Sequence, residues 1–315
     1  MQESQAQSPS TPRLDSTFLL AFELAHNALK QGARESCSLS IAQYRILIKL
    51  LGAHPEPFAQ KDLGRELELK PNVITQALDA LERAGFAKRA RTTGMRGRAS
   101  TGVITESGIN AIERANDAIV AELYKQFPSD SEEFRTILKA AIMAGSAIDP
   151  NVSQNVSKRF FASRTLVSCE LLRSKMESKL SLNPGATYSE CRILQRIGEV
   201  ELPLRISDIS KQLSLTATTA VRAVDRLVAR GWIMRLAAPN DRKSVYVRET
   251  EAGADAAKAI SRVVDAVASE YLWKNLSPER SHDIAEVGHV VIASLQKRDE
   301  QERLDALRAL KPIEG

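Results

Sequence analysis

The chain reads SDISKQLSLTATTAVRAVDRLVARGWIMR over residues 207–235. An earlier stretch, KDLGRELELKPNVITQALDALERAGFAKR over residues 61–89, aligns with it without a gap. Identical residues recur with a constant offset of 146 at Asp62/Asp208, Leu67/Leu213, Leu69/Leu215, Ala77/Ala223, Asp79/Asp225, Leu81/Leu227, Gly85/Gly231 and Arg89/Arg235. Because this offset is close to half of the 315 residues, the pattern indicates duplication of a whole module and not a solenoid of short repeats.

Two flanking blocks extend the repeat in both directions. Upstream, YRIL from Tyr44 corresponds to CRIL from Cys191, and downstream TESG from Thr105 corresponds to TEAG from Thr250. We therefore predict a disordered N-terminal tail over residues 1–14, a first module over 15–150 and a second over 151–315. The polar junction after Pro150 is short, which favours two modules packed together over two modules on a flexible tether.

Each module has the same pattern of predicted elements. A long amphipathic helix and the helix of the RIL block come first, followed by a short helix, a tight turn and a further helix from Pro71 or Ala217. That helix stops before Gly85 or Gly231, and a hairpin and then a helix capped by Thr105 or Thr250 follow, with more helices after it. Ser207 is expected to cap the short helix of the second module. Two helices on a tight turn followed by a hairpin predict a winged helix-turn-helix. The expected fold class is mainly α with small β-hairpin wings, in which two winged helix-turn-helix modules share a helical pseudo-dimer base.

The hairpin of the second module carries the most specific motif. It reads PNDRKSVYVRETEAG over residues 239–253, and with residues 207–235 it resembles the multiple-antibiotic-resistance regulator (MarR) family of bacterial transcription factors. The wing of that family has an Asp-x-Arg or Asp-Arg-Arg pattern before Leu-Thr-x-x-Gly; here Glu249 replaces the leucine. The first module departs further, because its wing, RTTGMRGRASTGVITESG over 91–108, lacks the aspartate.

The resemblance implies a function as well as a fold. It implies a helix-rich dimer that places two recognition helices in successive major grooves of double-stranded DNA and loosens on binding a small anionic or aromatic inducer. We expect this chain to be a monomeric pseudo-dimer and a repressor that reads a non-palindromic operator with two different helices. Further dimerisation stays open as an alternative.

Candidate contact residues follow from the helical pattern. In the helix from Pro71, an apolar stripe of Val73, Ala77, Leu78 and Leu81 is predicted to face inward, and an equivalent stripe occurs in the second module. The predicted base-reading residues are Asn72, Thr75, Gln76, Thr218, Thr219 and Arg222, whose hydrogen-bonding groups suit base edges. The predicted contacts to the DNA backbone or minor groove are Lys70, Arg96, Arg98, Arg226, Arg242 and Lys243. Asp79 and Asp225 would repel phosphate, so each is expected to pair with a nearby arginine.

Composition is compatible with this function without requiring it. Lys and Arg number 44 against 39 Asp and Glu, which gives a net charge of +5. No signal peptide or membrane span is apparent, so a cytoplasmic location is expected. The spacing of the four histidines and of Cys37, Cys169 and Cys191 fits no metal or disulfide site, and no P-loop, dinucleotide fingerprint or nucleophile elbow occurs. We expect no cofactor, no metal and no enzymatic activity.

Three alternatives remain open from the sequence. A plasmid-type replication initiator also carries two winged helices in one basic chain, although initiator halves tend to diverge more than these. A degenerate winged helix can serve as a protein-interaction module. Cysteine redox sensing occurs in relatives of the MarR family on the first helix, which makes Cys37 and Cys169 candidates for that role.

Overall fold

The computed structural model describes residues 12–36, 38–94, 97–127, 131–146, 159–238 and 241–308. The elements of the first half are α1 (Ser16–Ser36), α2 (Ile41–Ala53), β1 (Phe58–Ala59), α3 (Gln60–Leu67), α4 (Pro71–Arg83), β2 (Ala87–Gly94), β3 (Gly97–Ile104), α5 (Glu106–Gln126) and α6 (Glu132–Ser146).

The elements of the second half follow the same order. They are α7 (Phe161–Leu182), α8 (Tyr188–Gly198), β4 (Leu204–Arg205), α9 (Ile206–Gln212), α10 (Ala217–Ala229), β5 (Ile233–Ala238), β6 (Asp241–Glu249), α11 (Glu251–Val267) and α12 (Pro278–Arg308). A π-helical turn (Ala268–Leu272) and a 3-10 turn (Trp273–Asn275) connect α11 to α12. The prediction of a mainly helical fold with small hairpin wings is confirmed.

Each half forms one small antiparallel sheet around its hairpin. The strand orders are β1-β3-β2 and β4-β6-β5, so the third strand is the two-residue segment that precedes the helix-turn-helix. Phe58 lies opposite Gly102 in the first sheet, and Leu204 lies opposite Val247 in the second. This short strand attaches the start of α3 or α9 to the base of its wing.

The TESG and TEAG blocks are the joints between a wing and the helix that follows it. The hydroxyl of Thr105 accepts the N–H of Gly108 at 3.1 Å, and Thr250 accepts that of Gly253 at 3.0 Å, which confirms both predicted N-caps. A Cβ on Gly108 would lie 2.2 Å from the carbonyl oxygen of Phe86, and one on Gly253 would lie 1.9 Å from that of Trp232. Because a Cβ does not fit at this close approach, packing requires the glycine of the TESG and TEAG blocks.

The arginine of each RIL block has a structural role inside the module. Arg45 and Arg192 are both buried, although each carries a charged guanidinium. Arg45 Nη2 donates to the carbonyl oxygen of Leu67 at 2.8 Å, and Arg192 Nη2 donates to that of Leu213. These bonds satisfy a carbonyl group at the end of α3 and α9, where the helix itself offers no partner.

The two halves exchange the beginnings of their long helices. One hydrophobic core consists mainly of first-half residues but contains Leu166 and Val167 of α7. The other consists mainly of second-half residues but contains Leu14, Phe18 and Leu19. Each core is therefore completed by residues that come from the other half of the sequence.

Leu14 corrects the predicted boundary of the N-terminal tail. It is buried, and its backbone N–H donates to Asp265 Oδ1 at 3.2 Å. The packed part of the chain thus begins before residue 15, because an apolar side chain at this position closes the second core. Residues 1–11 of the predicted tail and the junction around Pro150 lie outside the described residues.

We call α1, α6, α7 and α12, which come from both halves of the chain, the helical base. Ion pairs connect α1 to α7 within it. Arg173 Nη1 donates to the two oxygens of Glu23 at 2.8 and 2.7 Å. Glu170 Oε1 lies 2.8 Å from His26 Nε2 and 3.3 Å from Lys30 Nζ. Glu23 and Glu170 are 147 residues apart, as are His26 and Arg173, so the two pairs occupy equivalent positions in the repeat.

Ser207 is not the helix cap that the sequence predicts. Helix α9 begins one residue earlier, at Ile206, and the residue at its N-cap is Arg205, which makes no side-chain capping bond. Strand β4 ends at Arg205 and leads directly into the helix, so the transition from strand to helix sets the start of α9. Ser207 lies inside the first turn.

Candidate nucleic-acid interface

Helix α4 presents a polar face at its beginning and buries the opposite face. Ile74, Ala77, Leu78 and Leu81 are buried, whereas Asn72, Thr75 and Gln76 are exposed. The prediction of the outer face is confirmed, but Val73 is only half-buried and Ile74 takes its place in the stripe. The reason is helical phase, because residues 74, 77, 78 and 81 follow the i, i+3, i+4, i+7 spacing of one helix face.

The candidate base-reading residues of α4 differ in how free their side chains are. Thr75 Oγ1 accepts a hydrogen bond from Gln60 Nε2 at 2.8 Å and donates to the carbonyl oxygen of Pro71 at 3.0 Å. Asn72 and Gln76 have no hydrogen-bond partner within the described ranges. Their amide groups are therefore available to an external ligand, whereas the Thr75 hydroxyl is already engaged.

Helix α10 has the same arrangement with different outward residues. Ala220, Ala223, Val224 and Leu227 are buried, as the sequence predicts. Thr218 and Arg222 are exposed and make no hydrogen bond or ion pair to the part of the chain that the structure describes. Thr219 is less free, because its hydroxyl lies 2.8 Å from Oγ1 of Thr216, the residue that caps the helix.

The two modules differ in the residue at the N-cap of this helix, which is Lys70 for α4 and Thr216 for α10. The Thr216 hydroxyl accepts the N–H of Thr219 at 3.1 Å. At the equivalent position of α4, Lys70 is exposed and makes no capping bond, since an ammonium group has no acceptor. The first module thus has a positive charge where the second has a cap, at the end of the helix where backbone N–H groups already favour anions.

Arg226, predicted to contact the DNA backbone, forms an ion pair inside the module. Its Nη1 lies 3.3 Å from Oε1 of Glu190, and Arg230 Nη2 lies 3.7 Å from Oε2 of the same carboxylate. Glu190 is fully buried and completes the capping box of α8 with Thr187. Arg226 therefore neutralises a buried charge, and any contact with DNA would be an additional role. The sequence does not predict this ion pair, because Arg226 and Glu190 are 36 residues apart.

Helices α4 and α10 are each connected to the wing of their own half by an ion pair. Arg89 Nη2 lies 2.5 Å from Oδ1 of Asp79 and 2.8 Å from the carbonyl oxygen of Thr75. Arg235 and Asp225 form the equivalent pair in the second module. The prediction that these aspartates pair with arginines is confirmed, and the pairs hold the first wing strand against the helix.

The basic residues of the wings lie on the hairpin strands. Arg98 belongs to β3, and Arg242 and Lys243 belong to β6. Arg96 lies outside the described residues. Contacts of these four residues with DNA stay predictions.

The helical base contains an apolar cavity of about 110 Å³. Helices α1, α6, α7 and α12 all contribute to its wall, which includes Phe22, Ile142, Cys169 and Gly288. Among the described residues that line it, none carries a charged side chain. An anionic inducer of the kind that the resemblance implies finds no counter-charge there, so the lining suits an uncharged, apolar molecule.

The cysteine environment bears on the redox alternative. Burial raises the pKa of the Cys169 thiol to about 12, with a smaller effect from the neighbouring Glu170 carboxylate. A buried neutral thiol is a poor nucleophile, so the environment of Cys169 argues against a sensor role. Cys37 lies outside the described residues.

The described residues contain no group of three or more His, Cys, Asp and Glu side chains placed to hold a metal ion. Searching the same residues for a helix long and apolar enough to cross a membrane finds none.

Comparisons with known proteins point to one family. Residues 186–245 match the model of the MarR family. The multiple antibiotic resistance protein MarR of Escherichia coli K12 is 35% identical over 72 residues, which are 23% of this chain and 50% of that protein. The chain thus spans about half the length of this curated relative.

Solved structures of the same family are also similar. Sco3205 of Streptomyces coelicolor, a MarR family transcriptional regulator in complex with DNA, is 21% identical, with 38% of this chain and 76% of that chain covered and a TM-score of 0.35. A mutant of MarR from E. coli, complexed with operator DNA, is 26% identical, with 37% of this chain and 81% of that chain covered and a TM-score of 0.33. The sequence match lies on α8, α9, α10 and the hairpin, which belong to the winged helix-turn-helix of the second half. Over residues 186–245, this chain is therefore similar in sequence to the MarR family.

Proposed function

We propose that this protein is a sequence-specific, double-stranded DNA-binding transcription regulator that represses its target by occupying a promoter. The observation that carries the proposal is the pair of helices α4 and α10. Each buries one face, exposes hydrogen-bonding side chains at its beginning, and is connected by an ion pair to a wing with basic residues. An exposed helix face of this kind fits the major groove.

The two reading helices carry different chemistry, which defines the operator. Asn72 and Gln76 suit adenine, whereas Arg222 suits guanine. A single chain with two unlike reading helices is therefore expected to bind two unlike half-sites, about 10 bp apart from centre to centre. Because the modules are covalently joined, DNA binding should not weaken on dilution as that of a weak dimer does.

Selection from a random DNA pool tests this proposal. The expected result is a site with two half-sites that are not mirror copies. Gln76→Ala should relax base preference in one half-site only, and Arg222→Ala in the other only. Enrichment of a perfect palindrome, or loss of preference in both half-sites from either variant, would contradict the two-helix proposal.

Salt dependence separates DNA binding from protein binding. Lys70, Arg96, Arg98, Arg242 and Lys243 are the proposed phosphate contacts, and Arg226 is left out of this set because it pairs with Glu190. About five such contacts predict a log–log slope of the binding constant against salt of about −4 to −5. Arg242→Ala should weaken binding to all sequences alike and make this slope shallower by about 0.9. Association that is insensitive to salt would instead favour a protein-interaction module.

The arrangement of bound sites separates a regulator from a replication initiator. A regulator is expected to protect a single promoter-like site in footprinting of genomic DNA. Protection of tandem repeats at an origin would favour the initiator alternative.

A further inference from the structure

An apolar side chain is exposed in the middle of the reading face of α10. Val221 is 43% exposed and lies between Thr218 and Arg222, the two residues whose side chains are free to contact DNA. The core stripe of the helix is complete without it, because Ala220, Ala223, Val224 and Leu227 are the buried positions. Packing within α10 therefore does not account for a valine here.

The first module shows what occupies the same place when the contact is polar. Val221 corresponds to Thr75, and Ile206 corresponds to Gln60, both with the offset of 146 residues. In the first module Gln60 Nε2 donates to Thr75 Oγ1 at 2.8 Å. The hydrogen-bonded pair of one module is thus replaced in the other by two β-branched apolar residues, of which Ile206 is half-buried against the second core.

In the major groove, the 5-methyl group of thymine is the apolar feature that a base edge presents. On the basis of the proposed function, we propose that Val221 binds the methyl group of a thymine in the half-site read by α10. The neighbouring Arg222 would then read an adjacent guanine. In the first module, the hydroxyl of the equivalent Thr75 is engaged by Gln60 and Pro71.

Replacement of thymine by deoxyuridine tests this inference, since it removes the methyl group and leaves base pairing intact. Each thymine of the selected site is replaced singly, and affinity is measured by fluorescence anisotropy. For the wild-type protein, one replacement in the α10 half-site should weaken binding about fourfold, the effect of exposing one buried methyl group. For Val221→Ser, which removes both methyl groups of the side chain, the same replacement should have little effect.

Thymines in the α4 half-site are the matched control, and their replacement should affect the wild type and Val221→Ser alike. The inference is overturned if no thymine in the α10 half-site is sensitive, or if the sensitivity persists in Val221→Ser. Failure to select any DNA site would overturn the proposed function as well, so the two failures are distinguishable. Circular dichroism of Val221→Ser verifies that this exposed substitution leaves the fold intact.

Discussion

The Glu170 carboxylate on α7 forms a hydrogen bond with His26 on α1, and its ionisation makes the stability of the protein depend on pH. Its burial alone would raise its pKa, but the hydrogen bond with His26 and the charges of His26, Lys30 and Arg45 lower it to about 2. A carboxyl group with a lowered pKa stabilises the fold above its unfolded value of 4.5, and that stabilisation is lost as the pH falls toward 2.

We therefore expect the free energy of unfolding to decrease between about pH 4.5 and pH 2, and to decrease less in Glu170→Gln. The difference should be about 1–2 kcal/mol, less than the pKa shift alone implies, because solvent reaches part of the group. Urea unfolding followed by circular dichroism at a series of pH values measures it. The exposed Glu177→Gln variant is the control, and an unchanged pH dependence in Glu170→Gln would contradict the assignment.

Arg222 and Arg226 lie four residues apart on one helix but should behave differently when each is replaced. Arg226→Ala leaves the buried Glu190 with Arg230 as its remaining cationic partner, and we expect a loss of about 1–3 kcal/mol in the free energy of unfolding. Arg222→Ala should change it by less than about 0.5 kcal/mol, because the side chain is exposed and free. Equal losses in urea unfolding of the two variants would show that Arg226 does not support Glu190.

The N-caps of α4 and α10 give a reason for these two helices to differ in stability. Lys70 and Thr216 have nearly the same backbone angles, with φ −65° and ψ 147° for Lys70 and φ −65° and ψ 148° for Thr216. Lys70→Thr should therefore gain a cap and stabilise the protein by about 1 kcal/mol, and Thr216→Ala should lose about the same amount. Urea unfolding measures both changes.

The same Lys70 variant separates stability from DNA binding. If Lys70 contacts a phosphate, Lys70→Thr should bind DNA more weakly even though it is more stable, with a salt slope shallower by about 0.9. An unchanged slope would remove Lys70 from the proposed contacts, and a loss of stability would contradict the capping geometry.

Because α1 and α7 contribute to both cores, we expect the molecule to unfold as one unit. Both tryptophans, Trp232 and Trp273, belong to the second half, so intrinsic fluorescence reports that half alone. Leu29 is fully buried in the first core, and Leu29→Ala should cost about 2–5 kcal/mol. We expect this variant to shift the denaturation midpoint seen by tryptophan fluorescence as far as the midpoint seen by circular dichroism.

The exposed Lys61→Ala variant is the control for this experiment and should leave both midpoints unchanged. A tryptophan transition that does not move in Leu29→Ala, together with a two-step circular dichroism curve, would show that the halves unfold independently. That result would also weaken the proposal that α4 and α10 are held at a fixed separation, which two half-sites about 10 bp apart require.

The sequence predicts the parts of this protein that depend on local spacing. The inward stripe of α10, the caps at Thr105 and Thr250 and the pairing of Asp79 with an arginine all follow from residues a few positions or one hairpin apart. The register of α4 differs by one position, because Ile74 and not the adjacent Val73 has the i, i+3, i+4, i+7 spacing with Ala77, Leu78 and Leu81. The prediction of Ser207 as a cap is wrong, because a strand leads directly into that helix.

Tertiary structure alone decides which groups are neutralised and which remain free. Glu190 and Arg226 are 36 residues apart, and Glu23 and Arg173 are 150 residues apart. Neither separation is a helix or strand spacing, so no local sequence pattern predicts that these residues pair. The same holds for Leu14, whose burial depends on a core built from the other half of the chain. Hydrophobic periodicity identifies a helix and its buried face, but the partner of a buried charge depends on how distant helices pack, and that is settled only when the whole chain folds.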